Sequence, residues 1–322
     1  MGVVFPGDCA QTVRVSHLLL CIALAAVFMD AYFTWSASLV LYAVILILSM
    51  TGAWALRRES VMLQRPRIAT LGAAVSGAAA GHLLVGSAGL HAALAGSVAG
   101  AVASVLPYIG LPTVAALLAP FYVGVFAGTS AEAILHGTPW VWLAGLVAGL
   151  IWSTIPQAWS GVGGKMGLTG FLGAATAVLL SSTLAGNHPP ELPAQVVDLG
   201  HELAIPLCGL SAVTTRLLIT RAGWSAVGAS ALPTALFSLL TLPVGPGLAP
   251  SLAAAWFAGS FVGMTHPSRI AGIGSIAAVG AVLGILILGL KTTLIGWGGV
   301  LGSSACACVL ARVGLERLKT WL

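Results

Sequence analysis

Phe121-Tyr122-Val123-Gly124-Val125-Phe126-Ala127-Gly128 and Trp256-Phe257-Ala258-Gly259-Ser260-Phe261-Val262-Gly263 are one pattern, aromatic-aromatic-x-Gly-x-Phe-x-Gly, written twice at a separation of 135 positions. The same slide brings further glycines into register without a gap. Gly124, Gly128, Gly137, Gly145, Gly149, Gly161, Gly163, Gly164 and Gly167 fall on Gly259, Gly263, Gly272, Gly280, Gly284, Gly296, Gly298, Gly299 and Gly302. Glycine makes up 41 of 322 residues, so chance would match roughly one or two of these nine, and a fixed internal period is the mark of a duplicated unit.

The composition sets the solvent. The chain is 58% hydrophobic and 7% charged, with a mean hydropathy of +1.04. Soluble domains carry about 25% charged residues, so this chain lacks the polar surface to face water all round. Apolar runs of about 18 to 20 residues recur along it, each long enough to cross a hydrocarbon core of about 30 Å as a helix. The runs are continuous rather than alternating, which excludes a transmembrane β-barrel pattern. The expected fold is an all-α polytopic membrane protein of about 12 spans. They run near 16–34, 37–56, 68–87, 91–107, 112–130, 139–157, 166–185, 201–220, 225–242, 250–265, 270–290 and 293–312. Pro, Gly and charge punctuate them, as in Arg65-Pro66-Arg67 and Leu242-Pro243-Val244-Gly245-Pro246. The run from His17 to Phe33 follows Arg14 but lacks a small-x-small cleavage site, and is expected as a retained first helix.

The net charge of +5 is spread over loops and helix ends, which fits a membrane orientation bias and not nucleic-acid binding. With the N-terminus cytoplasmic, Arg14, Arg57, Arg58, Arg65, Arg67, Lys165, Arg221, Arg269, Arg317 and Lys319 all fall inside, and Lys291 and the polar loop 187–198 fall outside. Both termini are then cytoplasmic, and the expected location is the plasma membrane (the inner membrane in a bacterium).

Three segments follow: residues 1–65 with two N-terminal helices, 66–187 as one half and 199–322 as the other. Each half holds five spans. Five is odd, so the second half enters from the opposite face, and some of its helices are expected to be broken or re-entrant. This is a 5+5 inverted-topology repeat, an arrangement used by transporters and channels around a central site. The bases obey the same parity, since Lys165 pairs with Val300 and Arg269 with Ile134. The two N-terminal helices stand outside the repeat and are expected to be peripheral or to mediate self-association into a homo-oligomer.

Candidate site residues come from the motifs. Gly124 and Gly128, like Gly259 and Gly263, are four apart, which places both on one helix face and admits a neighbouring backbone. Packing alone accounts for that spacing. A break after the second glycine would also turn Thr129, Ser130, Thr265, His266 and Ser268 toward a cavity beside Phe126 and Phe261, and Pro267 favours such a break. The second motif, Gly-x-Gly-Gly-x-x-Gly at 161–167 and 296–302, is too costly in glycine for a helix interior and reads as a turn opening one, with Lys165 or Ser303 and Ser304 in the first turn. Free amides and the positive dipole end there would suit an anion or a carbonyl oxygen. The phosphate-loop pattern is absent.

The five cysteines (Cys9, Cys21, Cys208, Cys306 and Cys308) show no metal spacing and read as buried small hydrophobes, so no metal or cofactor is expected. Arg216, near the inner end of its helix, is expected to snorkel. Most tryptophans, including Trp54, Trp159, Trp224 and Trp297, are expected as interfacial anchors. No Asp or Glu stands at mid-membrane, where ion-coupled carriers commonly keep one. The expected function is therefore passive transport, by a channel or carrier, of a small neutral or anionic solute across the lipid bilayer. An integral-membrane enzyme on a lipid-linked substrate would need the ionisable cluster His188, Glu191, Asp198, His201 and Glu202. A non-transporting membrane subunit is the third expectation.

Overall fold

The structure is a computed structural model, and it describes residues 39–56, 67–154, 159–187, 201–289 and 296–320. The expected first helix near 16–34, Asp30, the bases at 57, 58 and 65, the cluster from His188 to Asp198, and Lys291 lie outside these residues.

Among the described residues the fold is all-helical, without strands. The helices are α1 (Leu39–Leu56), α2 (Ile68–His82, ending in a π turn Leu83–Ser87), α3 (Ala92–Val105), α4 (Leu118–Gly128, entered through the 3-10 turn Pro112–Leu117), the short α5 (Glu132–Leu135), α6 (Thr138–Thr154), α7 (Lys165–Ala185), α8 (His201–Thr220), α9 (Ala226–Thr241), α10 (Leu248–Gly263), α11 (Ile273–Gly289) and α12 (Val300–Lys319). Five segments have the length and hydropathy of membrane spans: Ile68–Ser87, Ala92–Ile109, Lys165–Ala185, Glu202–Thr220 and Ala226–Val244. α1, α4, α6, α10 and α11 supply shorter apolar helices. Large apolar side chains such as Ile47, Leu179, Leu236 and Leu240 lie exposed on the outer surface, as contact with hydrocarbon allows. The chain is a helical membrane protein. The last helix departs from expectation: it opens at Val300 rather than near 293, because Gly296 and Gly299 adopt φ of 80° and 83° and form a turn, and it runs on to Lys319.

Small residues hold the bundle together, because lipid tails give helices no hydrophobic drive to associate and close backbone approach must supply it. α2 lies between α4 and α6. A Cβ on Gly124 or Gly128 would overlap the carbonyl oxygen of Ala74 or Ala78, and one on Gly145 would come within 2.7 Å of the Ala78 methyl. α8 lies between α10 and α11 in the same way, with Gly259 against the Cys208 carbonyl, Gly263 against that of Ala212, and Gly280 2.7 Å from the Cys208 oxygen. α3 crosses α9, where Gly100 accommodates the Tyr122 ring and the Ala231 methyl. α7 crosses α12, where a Cβ on Gly302 would stand 2.7 Å from the Gly167 Cα. α1 packs on α12, with Gly52 against Leu310 and Gly314 against Leu48, and the Ser49 hydroxyl donates to the Ala307 carbonyl at 2.8 Å.

Candidate functional site

Two junctions frame the middle of the bundle. At one, α4 ends at Gly128 and the turn Gly296–Gly299 that opens α12 folds over it. The Ser130 hydroxyl accepts the Gly298 amide at 2.9 Å and donates to the Ala127 carbonyl at 2.9 Å, while the Ala131 amide donates to the Gly296 carbonyl at 2.7 Å. At the other, α10 ends at Gly263 and the turn Gly161–Gly164 that opens α7 folds over it. There Thr265 Oγ1 accepts the Gly163 amide at 3.2 Å, and the His266 amide donates to the Gly161 carbonyl at 2.8 Å. The two bonds that tie each helix end to its turn, Ser130–Gly298 and Ala131–Gly296 at the first junction, have counterparts 135 positions away at the second, Thr265–Gly163 and His266–Gly161. Gly163 and Gly298 leave no room for a Cβ, which would overlap the carbonyls of Phe261 and Phe126 respectively. Helix ends leave orphan carbonyls and amides, and here each half-turn satisfies part of the other helix's end.

Between the junctions stand four rings. Phe126 and Phe261 meet edge to face with centroids 5.2 Å apart, and Tyr122 and Phe257 flank them at 4.4 Å from Phe126 and 4.5 Å from Phe261. All four are buried. Beside the rings, at the first junction, lies a cavity of about 70 Å³. Its walls are Phe126, Thr129, Phe257, Phe261, Ala92, Ala93, Trp297 and the chain from Gly298 to Gly302. Such a space admits a few water-sized molecules. Thr129 is its hydroxyl, and it also donates to the Phe126 carbonyl at 3.0 Å. A wider groove of about 630 Å³ opens between α2, α3 and the start of α4, but its one hydroxyl, Ser76, bonds the Ala73 carbonyl of its own helix. Nothing polar there orients a solute.

Of the residues singled out from sequence, the cavity brings together Phe126, Thr129 and Phe261. Gly124, Gly128, Gly259 and Gly263 serve as packing contacts. The Ser130 and Thr265 hydroxyls are buried in the junctions and committed to glycine amides, rather than turned toward a cavity as expected, because the folded-over turns need acceptors there. Ser303 and Ser304 bond carbonyls of their own first turn, to Gly299 and Val300. His266 is exposed, with Nδ1 and the Ser268 hydroxyl sharing a hydrogen bond at 2.8 Å. Lys165 is buried, and its ammonium stands 4.8 Å from the centre of the Trp152 ring, a cation–π distance. Trp159 is fully buried and Trp297 is half-buried against Phe171, at 5.8 Å, so neither serves as an exposed anchor. Tyr122 and Phe257 were not singled out from sequence, although both occupy the second aromatic position of the repeated motif and join the ring cluster. Arg216 does not snorkel. It is 3% exposed, and Thr215 beside it lies against Gly263 and bonds the Ala229 carbonyl at 3.4 Å.

Cys208, Cys306 and Cys308 are buried and free. No cluster of three metal-ligating side chains occurs among the described residues. No known family model, curated protein or solved structure matches the chain.

Proposed function

We propose that the chain is a membrane channel or carrier for a small neutral or anionic solute, built as two inverted halves of five helices about a central path. The supporting observation is the reciprocal exchange at the junctions, in which Ser130 accepts from Gly298 and Thr265 accepts from Gly163. Two equivalent junctions that each borrow a turn from the other half are the expected product of an inverted duplication, and such pseudo-symmetry commonly centres on a transport path. On this reading Phe126 and Phe261 form the constriction, and the cavity at Thr129 is the entry on one side. On the same reading the filled ring cluster corresponds to a closed state.

Transport is passive on this reading. Among the described residues no Asp or Glu is buried, so none of these supplies a carboxylate to carry a proton or bind a sodium ion. On this reading both ends of the chain are cytoplasmic, as the distribution of bases suggests, and the membrane proposed is the plasma membrane.

Uptake by liposomes containing the purified chain tests the proposal. Entry of small neutral or anionic solutes, unaffected by collapse of proton and sodium gradients, is the expected result. Dependence on a gradient sinks the passive form. The second reading, a non-transporting membrane subunit, draws on the four rings filling the centre and the small size of the cavity. It is the outcome if liposomes with and without the protein take up every solute alike.

A further inference from the structure

The charges buried among the described residues are two cations, Lys165 and Arg216, and no acid accompanies them. Both lie within two positions of a residue that packs at the same junction. Gly163, two positions before Lys165, bonds Thr265, while Thr215, adjoining Arg216, lies against Gly263 at the other side of the same turn. At the opposite junction the residue 135 positions from Lys165 is Val300, and no cation is buried there among the described residues. Positive charge is therefore concentrated in one end of the bundle interior.

The two cations are held differently. Lys165 has the face of Trp152. Arg216 has Nε and Nη2 buried with no hydrogen-bond partner among the described residues. Those two nitrogens share one edge of the guanidinium, and that edge makes the two-point, side-on bond to a planar oxyanion. Arg269 shows the edge in use nearby: its Nε and Nη2 both donate to the Ser160 carbonyl, at 2.9 and 2.8 Å, though on an exposed surface. A buried ionised group without a partner is costly, so such a group calls for a partner, and a bound ion is one that meets the need.

We infer that Arg216 is the binding residue for a small planar oxyanion, a carboxylate or an isostere of one, taken up through its Nε–Nη2 edge at the Gly263–Thr265 junction. The inference rests on the transport reading for its role, since it names the solute class, but binding is separable from flux. A spherical halide makes one contact where a planar oxyanion makes two, so carboxylates are preferred over chloride. Arg216 then sets which solutes are held, while the rings set what passes.

Thermal unfolding of the purified full chain in zwitterionic nanodiscs tests the site, with sodium formate or sodium nitrate replacing sodium chloride mole for mole. Both replacements are expected to raise the unfolding midpoint by about 3 °C or more. Arg216→Gln is expected to abolish the difference. Arg216→Lys keeps the charge but loses the two-point edge, and is expected to abolish the preference over chloride even if the glutamine variant fails to fold. Equal midpoints in the three salts for the unsubstituted chain, or an undiminished preference in Arg216→Lys, overturn the site. Formate uptake by liposomes separates the two claims. A salt preference that depends on Arg216 without any uptake keeps the site and removes the transport reading. Uptake that is unchanged in Arg216→Lys, with equal midpoints, keeps transport and removes the site.

Discussion

Gly298 donates its amide to the hydroxyl of Ser130 across 2.9 Å and 168 positions of chain, and the bond is fully buried. Its counterpart joins Gly163 to Thr265. These two bonds fasten the start of α12 to the end of α4 and the start of α7 to the end of α10. Each closes off a buried amide that would otherwise lie unpaired.

Ser130→Ala and Thr265→Ala each leave a buried amide without an acceptor, at a cost of about 1–3 kcal/mol. Thr265→Ser is expected to restore stability, since it keeps the oxygen. The double substitution should cost more than either single one, and because Gly164 lies against Gly302 and Gly299 against Gly167 the two effects are expected to couple. Denaturant unfolding in detergent checks all three.

Gly124→Val and Gly259→Val place side-chain carbon on the carbonyls of Ala74 and Cys208. Backbone cannot yield there as a flexible side chain can. Loss of folded, monodisperse protein is expected for both, alongside any loss of flux. Gly72→Ala is the control: it lies in α2 with nothing within 4 Å of the place its methyl group would take, and is expected to be neutral or to stabilise by about 0.5–1 kcal/mol. Size-exclusion profiles distinguish the two outcomes.

Most of the helices were legible in the sequence, because a membrane demands long apolar runs and the punctuation between them is charge, proline and glycine. The start of α12 was legible in the glycine motif at 296–302, which reads as a turn opening a helix, while the apolar run around that motif had put the start of the span too early, near 293. Phe126 and Phe261 were legible as a pair because the repeat singles them out. The roles of Ser130 and Thr265 were not, because a hydroxyl after a helix end is equally suited to a cavity or to an amide, and the choice depends on a turn brought from the other half. The burial of Arg216 was illegible for a related reason. Whether a long cationic side chain reaches water depends on how its helix packs in the bundle, and here Thr215, next to Arg216, lies against Gly263.

Phe126→Ala and Phe261→Ala open the centre of the ring cluster. Removing a buried ring costs about 3–5 kcal/mol of stability, so both variants should melt earlier. On the transport reading both also raise solute flux and relax discrimination by size. Liposome uptake of a graded series of neutral solutes reads this, and unchanged size discrimination in variants that remain folded would remove the rings from the path.

The inverted relation between the halves is tested most directly by side-specific labelling. Glu132 lies exposed beside the Ser130 junction, and Ser268 lies exposed beside the Thr265 junction. Glu132→Cys and Ser268→Cys are to be reacted with a membrane-impermeant thiol reagent in right-side-out and inside-out vesicles, against the unsubstituted chain as background. The account predicts labelling of the two positions from opposite faces, with Ser268→Cys reached from the cytoplasmic side. Labelling of both from one face would contradict it.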